Sequence, residues 1–249
     1  MPILALDTSS SVAVAVLADD GSVLASRSDS EQRHHAELLA PMVQHVLADA
    51  GVERTALTAV VAGTGPAPFT GLRVGLVTAR TMALALDVPA WGVPSVDALA
   101  ATAARTAVPG SHVLVVTDAR RHEVYWAAYR VDGTGSAVLV AGPDIAAPAA
   151  LVEHGRTAGA IVVGRGALLH REALGLPAAP TTRPPAAHGG AHLDPALHDA
   201  DPALRDPDPA ELGRLALLRH AAGQPLPTTP LYLRRPDAEP SAARKRVLT

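Results

Sequence analysis

The stretch Gly63-Thr-Gly-Pro-Ala-Pro-Phe-Thr-Gly-Leu-Arg-Val-Gly75 constrains this chain more than any other. An apolar run, 57–62, leads into it, and 76–86, apolar at helical spacing, leads out. Strand, Gly/Pro-rich loop and helix make a βα unit, which sets backbone N–H groups and a helix N-terminus beside a cleft. Four glycines and two prolines fix backbone shape here, and only Thr64, Thr70 and Arg73 carry polar side chains. The loop is built to be held or to hold something, not to attack bonds.

With 249 residues there is room for one large domain or two lobes around a real core. Aromatic residues are only 2% of the chain, so that core is made of Ala, Val and Leu. The net charge of −3 and pI near 6.4 give no global basic field for nucleic acid. The absence of cysteine excludes disulfides, thiolate metal sites and thiol nucleophiles. Met1 to Asp7 lacks a basic region ahead of its short apolar run and does not read as a signal peptide. No uninterrupted apolar stretch reaches the roughly 20 residues that span a bilayer. The expectation is a cytoplasmic protein without a membrane partner.

Runs at 3–6, 12–17 and 23–27, with Asp19-Asp-Gly21 as a hairpin turn, predict an opening β-meander. Residues 36–50 predict an amphipathic helix starting near His35, with Pro41 inside it, ended by Gly51. A strand at 57–62, a helix at 71–86, a strand at 88–93 and a helix at 95–104 capped by Ser95 complete a first lobe, 1–104. Strand 113–117, the polar turn Asp118-Ala-Arg-Arg121, strand 123–129 and the turn Asp132-Gly133 repeat the opening pattern in a second lobe, 105–225. A strand at 160–163 runs into a glycine turn, and 210–222 forms a helix started by Asp208 or Pro209. Residues 177–209 hold eight of the 22 prolines and read as a long loop. The tail, 226–249, reads as extended, anchored by Leu231-Tyr-Leu233, with Arg234, Arg235, Arg244, Lys245 and Arg246 as a solvated cluster or a local RNA contact.

Asp7-Thr-Ser-Ser at a strand end is either a phosphate loop or a turn closed by side-chain to backbone hydrogen bonds. Kinase-like sites add glycines and a basic group there, and neither is present. His34, His35 and His45 do not converge, because neighbours on a helix diverge by about 100°. The histidines at 188, 192 and 198 form no metal pattern. Asp118 to Glu123 is either a salt-bridged turn or a cleft-lining contact. No nucleophile–base pair supports a protease.

Taken together, Ile3-Leu-Ala-Leu-Asp-Thr-Ser, His35-Ala-Glu-Leu-Leu-Ala-Pro, the 63–75 block, Val93-Pro-Ser-Val-Asp-Ala-Leu99, Asp118-Ala-Arg-Arg and Pro230-Leu-Tyr-Leu-Arg234 resemble the TsaB (YeaZ) family. That family commonly has Gly-Pro-Gly-Ser-Phe-Thr-Gly-Leu-Arg in the central block, from which Thr64 and Ala67-Pro68 depart. The resemblance implies a two-lobed actin/sugar-kinase-like α/β fold, each lobe a mixed sheet flanked by helices. It implies a non-catalytic subunit that pairs with a TsaD-type transferase, joined by a TsaE-type ATPase, to threonylcarbamoylate adenosine in tRNA. Transfer RNA is then reached through the complex. The transferase's His-x-x-x-His metal pair has no counterpart in Ser95 to Ala100. The interface residues implied are His35, Leu38, Leu39, Met42, Leu72, Leu76, Ala79 and Met82, whose other reading is core packing. Alone, the same surface makes a homodimer. A degenerate nucleotide-like cleft would comprise Asp7, Thr8, Ser9, Gly65, Phe69, Thr70, Arg73 and Asp118. No tightly bound cofactor is implied, with ATP or ADP left to the shared interface of the complex. The rival reading is a small-molecule kinase or ATPase built on Asp7, Thr8 and Gly65.

Overall fold

The computed structural model describes residues 1–29, 34–177 and 204–234. Its first strand, β1 (Ile3–Asp7), is buried on both faces, as a run of consecutive apolar residues requires. β1 pairs antiparallel with β2 (Val12–Leu17), which pairs antiparallel with β3 (Val23–Asp29). After helix α1 (His35–Asp49) the chain returns through β4 (Ala59–Gly63), parallel to β1. Helix α2 (Phe69–Leu86) then leads to β5 (Ala90–Val93), parallel to β4. The sheet order is β3-β2-β1-β4-β5.

Helix α3 (Ser95–Ala104) opens the second half. β6 (His112–Asp118), β7 (Val124–Val131) and β8 (Ala137–Ala146) are successively antiparallel. Helix α4 (Pro148–Glu153) leads to β9 (Ala160–Val163), parallel to β6, followed by α5 (Arg165–Leu169). The order β8-β7-β6-β9 repeats β3-β2-β1-β4 in sequence and direction. The weak duplication in the sequence is therefore a duplication of topology, and the fold is the two-lobed actin/sugar-kinase-like arrangement.

Alternation divides the core. Leu4, Leu6, Val12, Val14 and Val16 face α1 and α2, while Ile3, Ala5, Ala15 and Leu17 face helix α6 (Pro209–Ala221). Removing each such leucine from water contributes about 2 kcal/mol. Asp208 caps α6 by accepting from the N–H of Ala210 at 2.9 Å. α3, although it ends the first lobe in sequence, lies on the second sheet through Val96, Leu99, Ala100 and Ala103. α6, placed after the second sheet, packs on the first. The two lobes thus exchange covering helices.

Several elements differ from the sequence expectation. Ser95 does not cap α3, because its hydroxyl is used elsewhere. α2 begins at Phe69, inside the loop. α1 runs through Pro41, which is exposed. β8 carries Gly142-Pro143 within a strand that sits at a sheet edge and shifts register opposite Ala128, where a proline is tolerated. Most of the 177–209 loop, with His188, His192 and His198, lies outside the described residues, as do Arg235, Arg244, Lys245 and Arg246.

Candidate functional site

Asp7 ends β1 and is 1% exposed. Its Oδ1 accepts from the Ser9 N–H at 2.8 Å and the Ser9 hydroxyl at 2.6 Å. Its Oδ2 accepts from the Ser95 hydroxyl at 2.5 Å, and Ser95 Oγ accepts in turn from the Gly65 N–H at 3.1 Å. A Cβ on Gly63 would stand 1.8 Å from Asp7 Oδ2, so glycine is required for the carboxylate to fit. Burial pushes the Asp7 carboxyl above its usual range, against the lowering effect of the hydrogen bonds from Ser9 and Ser95. The turn closed by side-chain to backbone hydrogen bonds, one of its two sequence readings, is present.

Thr8 is equally committed. Its hydroxyl donates to the Gly71 carbonyl at 2.7 Å and accepts from the Gly75 N–H at 3.0 Å, the two groups an α-helix would join to each other. It is therefore set into the first turns of α2, where a Cβ on Gly75 would lie 2.5 Å from Thr8 Oγ1. Thr64 N–H donates to the Val93 carbonyl at 2.8 Å, and Ser95 N–H to the Gly65 carbonyl at 2.8 Å. The loop amides that sequence pattern set beside a cleft instead stitch β4 to the start of α3.

Phe69 and Arg73 face the C-terminal segment. The Phe69 and Tyr232 rings lie 4.7 Å apart, and the Arg73 guanidinium sits 5.5 Å from one and 5.6 Å from the other. Arg80 donates to the Thr228 hydroxyl and carbonyl, Gly92 N–H to the Leu226 carbonyl, and Leu231 N–H to the Thr64 carbonyl. Arg234 pairs with Glu123 of the second lobe. Residues 226–234 form a strap along α2, β5 and the 63–68 loop.

A cleft of 540 Å³ opens between the lobes, lined by Thr8, Ser9, Ser10, His34, His35, Ala36, Pro68, Thr70, Gly71, Val74, Thr117, Asp118 and Arg120. Of the sequence-nominated cleft residues, Thr8, Ser9, Thr70 and Asp118 are brought together there. Asp7, Gly65, Phe69 and Arg73 are not. Asp118 ends β6 as Asp7 ends β1, and its Oδ1 accepts from the Arg120 N–H at 2.8 Å in the same i to i+2 turn. Arg120, Arg121 and His122 then occupy φ 65°, 54° and 60°, three side-chain-bearing residues in the left-handed region. Each costs of order 1 kcal/mol, so the surrounding turn imposes the shape.

Leu39, Leu72, Leu76 and Ala79, nominated for an interface, lie at 1%, 0%, 3% and 0% exposure in the core and cannot meet a partner without opening the fold. His35, Leu38, Met42 and Met82 are half-buried. The residues that sequence reasoning missed are Val77 and Leu84, 60% and 84% exposed on α2. They lie seven apart, with exposed Thr81 between them on the same outward ridge, while Val74, Leu38 and Met42 are half-buried against the first core. α2 is also the one described helix long and apolar enough to cross a membrane by length and composition, yet its Leu72, Leu76, Ala79 and Ala83 side packs on the first sheet.

A family model described as TsaD, tRNA N6-adenosine threonylcarbamoyltransferase, matches residues 22–179. An uncharacterized protein of Mycobacterium leprae is 38% identical over 245 residues, covering 97% of this chain; the chain spans 57% of that relative's length. The Escherichia coli tRNA threonylcarbamoyladenosine biosynthesis protein TsaB is 38% identical over 135 residues, 54% of this chain and 58% of the relative. Among solved structures, YeaZ from Pseudomonas aeruginosa superposes with a TM-score of 0.71 at 30% identity, covering 93% of this chain and 99% of that one. Sequence blocks, duplicated topology and whole-chain superposition agree, and the chain belongs to the TsaB (YeaZ) family.

Proposed function

We propose that this chain is a non-catalytic activating subunit that pairs with a TsaD-type transferase in the threonylcarbamoylation of adenosine in tRNA. The observation that carries the reading is the exposed ridge Val77, Thr81 and Leu84 on α2, whose two large apolar side chains, 60% and 84% exposed, are surface that the first lobe's core does not use. The relatives' names support the pathway, and the match of a transferase family model to residues 22–179 of this chain is consistent with a partner of that class. A TsaE-type ATPase acts on the pair, tRNA is engaged through the complex, and nucleotide belongs to the shared interface. Without its partner the same ridge makes a homodimer.

Asp7 supports this reading over the kinase rival. Asp7 is 1% exposed and both its oxygens already accept hydrogen bonds, and the Thr8 hydroxyl is built into α2. Gly65 is bonded to Ser95 through both N–H and carbonyl. The trio on which the rival rests is spent on holding the fold.

The test is sedimentation velocity of the purified chain mixed with its TsaD-type partner. Wild type is expected to form a one-to-one species, and Val77→Asp or Leu84→Asp to leave two separate species while the chain keeps its circular dichroism. Unchanged pairing in both folded variants contradicts the assigned surface.

A further inference from the structure

The 226–234 strap and the apolar ridge on α2 share two arginines. At about 100° per residue, Arg73, Val77, Arg80 and Leu84 fall within an arc of about 60° on that helix, and all four are exposed. The ridge is therefore one stripe in which guanidiniums alternate with large apolar side chains. Arg73 Nε donates to the Tyr232 hydroxyl at 3.0 Å. Arg80 donates from Nε to the Thr228 hydroxyl at 2.9 Å and from Nη2 to the Thr228 carbonyl at 2.5 Å. Seven helical residues rise about 10 Å and four extended residues span about 13 Å, so the strap lies extended beside α2 and runs antiparallel to it.

Both guanidiniums are held by neutral acceptors. Among the described residues neither meets a carboxylate, the group that arginine binds best through two parallel N–H···O bonds. Less exposed arginines of the same chain are each given an acid: Arg165 pairs with Asp206, Arg219 with Asp97 and Arg234 with Glu123. Arg73 and Arg80 keep that capacity open, on the stripe that pairing uses.

The strap's other fastenings lie away from the stripe. The Leu231 N–H donates to the Thr64 carbonyl, the Tyr232 ring packs on Phe69, and Arg234 reaches Glu123 of the second lobe. Loosening at Arg73 and Arg80 thus acts on a segment that also touches the 63–68 loop and the other half of the molecule.

We infer that the strap competes with the partner for the docking stripe. The partner surface that covers Val77 and Leu84 carries carboxylates beside its apolar side chains, and as it docks Arg73 and Arg80 leave Tyr232 and Thr228 for those acids. Charge complementarity sets the partner's chemistry, and continuity of the arginines with the ridge sets its place. The inference rests on the pairing reading and adds to it a brake within the chain. Because coupling is reciprocal, whatever unfastens the strap strengthens docking by the factor with which docking unfastens the strap.

The test titrates the full chain with its TsaD-type partner and follows amide hydrogen exchange of residues 226–234 in the free chain and in the complex. Tyr232→Phe keeps the ring on Phe69 and removes only the hydroxyl, and Thr228→Val keeps the shape. Each frees one arginine and should tighten pairing about threefold, whereas Arg80→Gln should weaken it about tenfold. The Leu231 amide should exchange faster in the complex than in the free chain. A strap that only completes the fold gives no tightening in Tyr232→Phe and Thr228→Val. That result, wild-type affinity in Arg80→Gln, or Leu231 exchange unchanged or slowed by the partner overturns the inference. Where wild type still pairs, only the competition falls; where wild type does not pair at all, the pairing reading falls and takes the competition with it.

Discussion

Asp7 shows how one side chain can be chemically attractive and structurally occupied. Its carboxyl, raised above 3.8 by burial, holds its proton to higher pH in the native chain than in the unfolded one. The native state then binds more protons across that window, so this group's contribution to stability is full below 3.8 and is lost as pH rises through the raised value. Urea unfolding of wild type and Asp7→Asn should show wild type losing stability relative to the variant as pH climbs above 3.8 toward neutrality. Parallel pH profiles would contradict the assignment. Gly63→Ala drives a methyl group to 1.8 Å from the same carboxylate and is expected to cost about 3 kcal/mol in the same assay. A cost under about 0.5 kcal/mol would mean the carboxylate is free to move.

At the scale of elements, α2 has an inner and an outer side that its composition hides. Leu76→Asp places a carboxylate in the core and is expected to lower stability by about 4 kcal/mol, whereas Leu84→Asp should stay within about 0.5 kcal/mol of wild type. Thermal unfolding of the two variants checks this, and equal losses would contradict the assigned faces. The helix itself was legible from its spacing and from the glycines at its start. Its orientation was not, because apolar Val77 and Leu84 stand among Arg73, Arg80 and Thr81 on the exposed side and blur its boundary with the Leu72 and Leu76 side. Ser95 failed as a cap for a related reason: its best partner, Asp7, lies 88 residues away, outside any local pattern. The strand ends Asp7 and Asp118 were readable as a repeated motif, but only three-dimensional placement shows that Thr117, the residue before one of them, lines the cleft. The strap was seen as an extended tail, without a signal that Phe69 and Arg73 are its docking site rather than cleft residues.

The whole molecule is two copies of one topology fastened by exchanged helices. α3 lies on the second sheet and α6 on the first, and the two helices pack on each other. Asp97 of α3 accepts from Tyr129 of β7 and from Arg219 of α6, each at 2.6 Å, and burial together with the Asp97 charge holds the Tyr129 phenol protonated. Trp91 lies in β5 and Trp126 in β7, one reporter per sheet. Single-tryptophan variants, Trp91→Phe and Trp126→Phe, should unfold with coincident fluorescence transitions. Asp97→Ala should destabilise by about 3 kcal/mol and separate the two, because it leaves Tyr129 and Arg219 without their shared acceptor. Coincident transitions in Asp97→Ala would mean the lobes are coupled elsewhere. The central claim, that this coupled two-lobed body activates a partner instead of catalysing, is tested by reconstitution. Threonylcarbamoyl transfer to tRNA is measured with the TsaD- and TsaE-type proteins, ATP and threonylcarbamoyl-adenylate, with and without this chain. The account predicts product only when the chain is present and none with Leu84→Asp; equal transfer in its absence would contradict it.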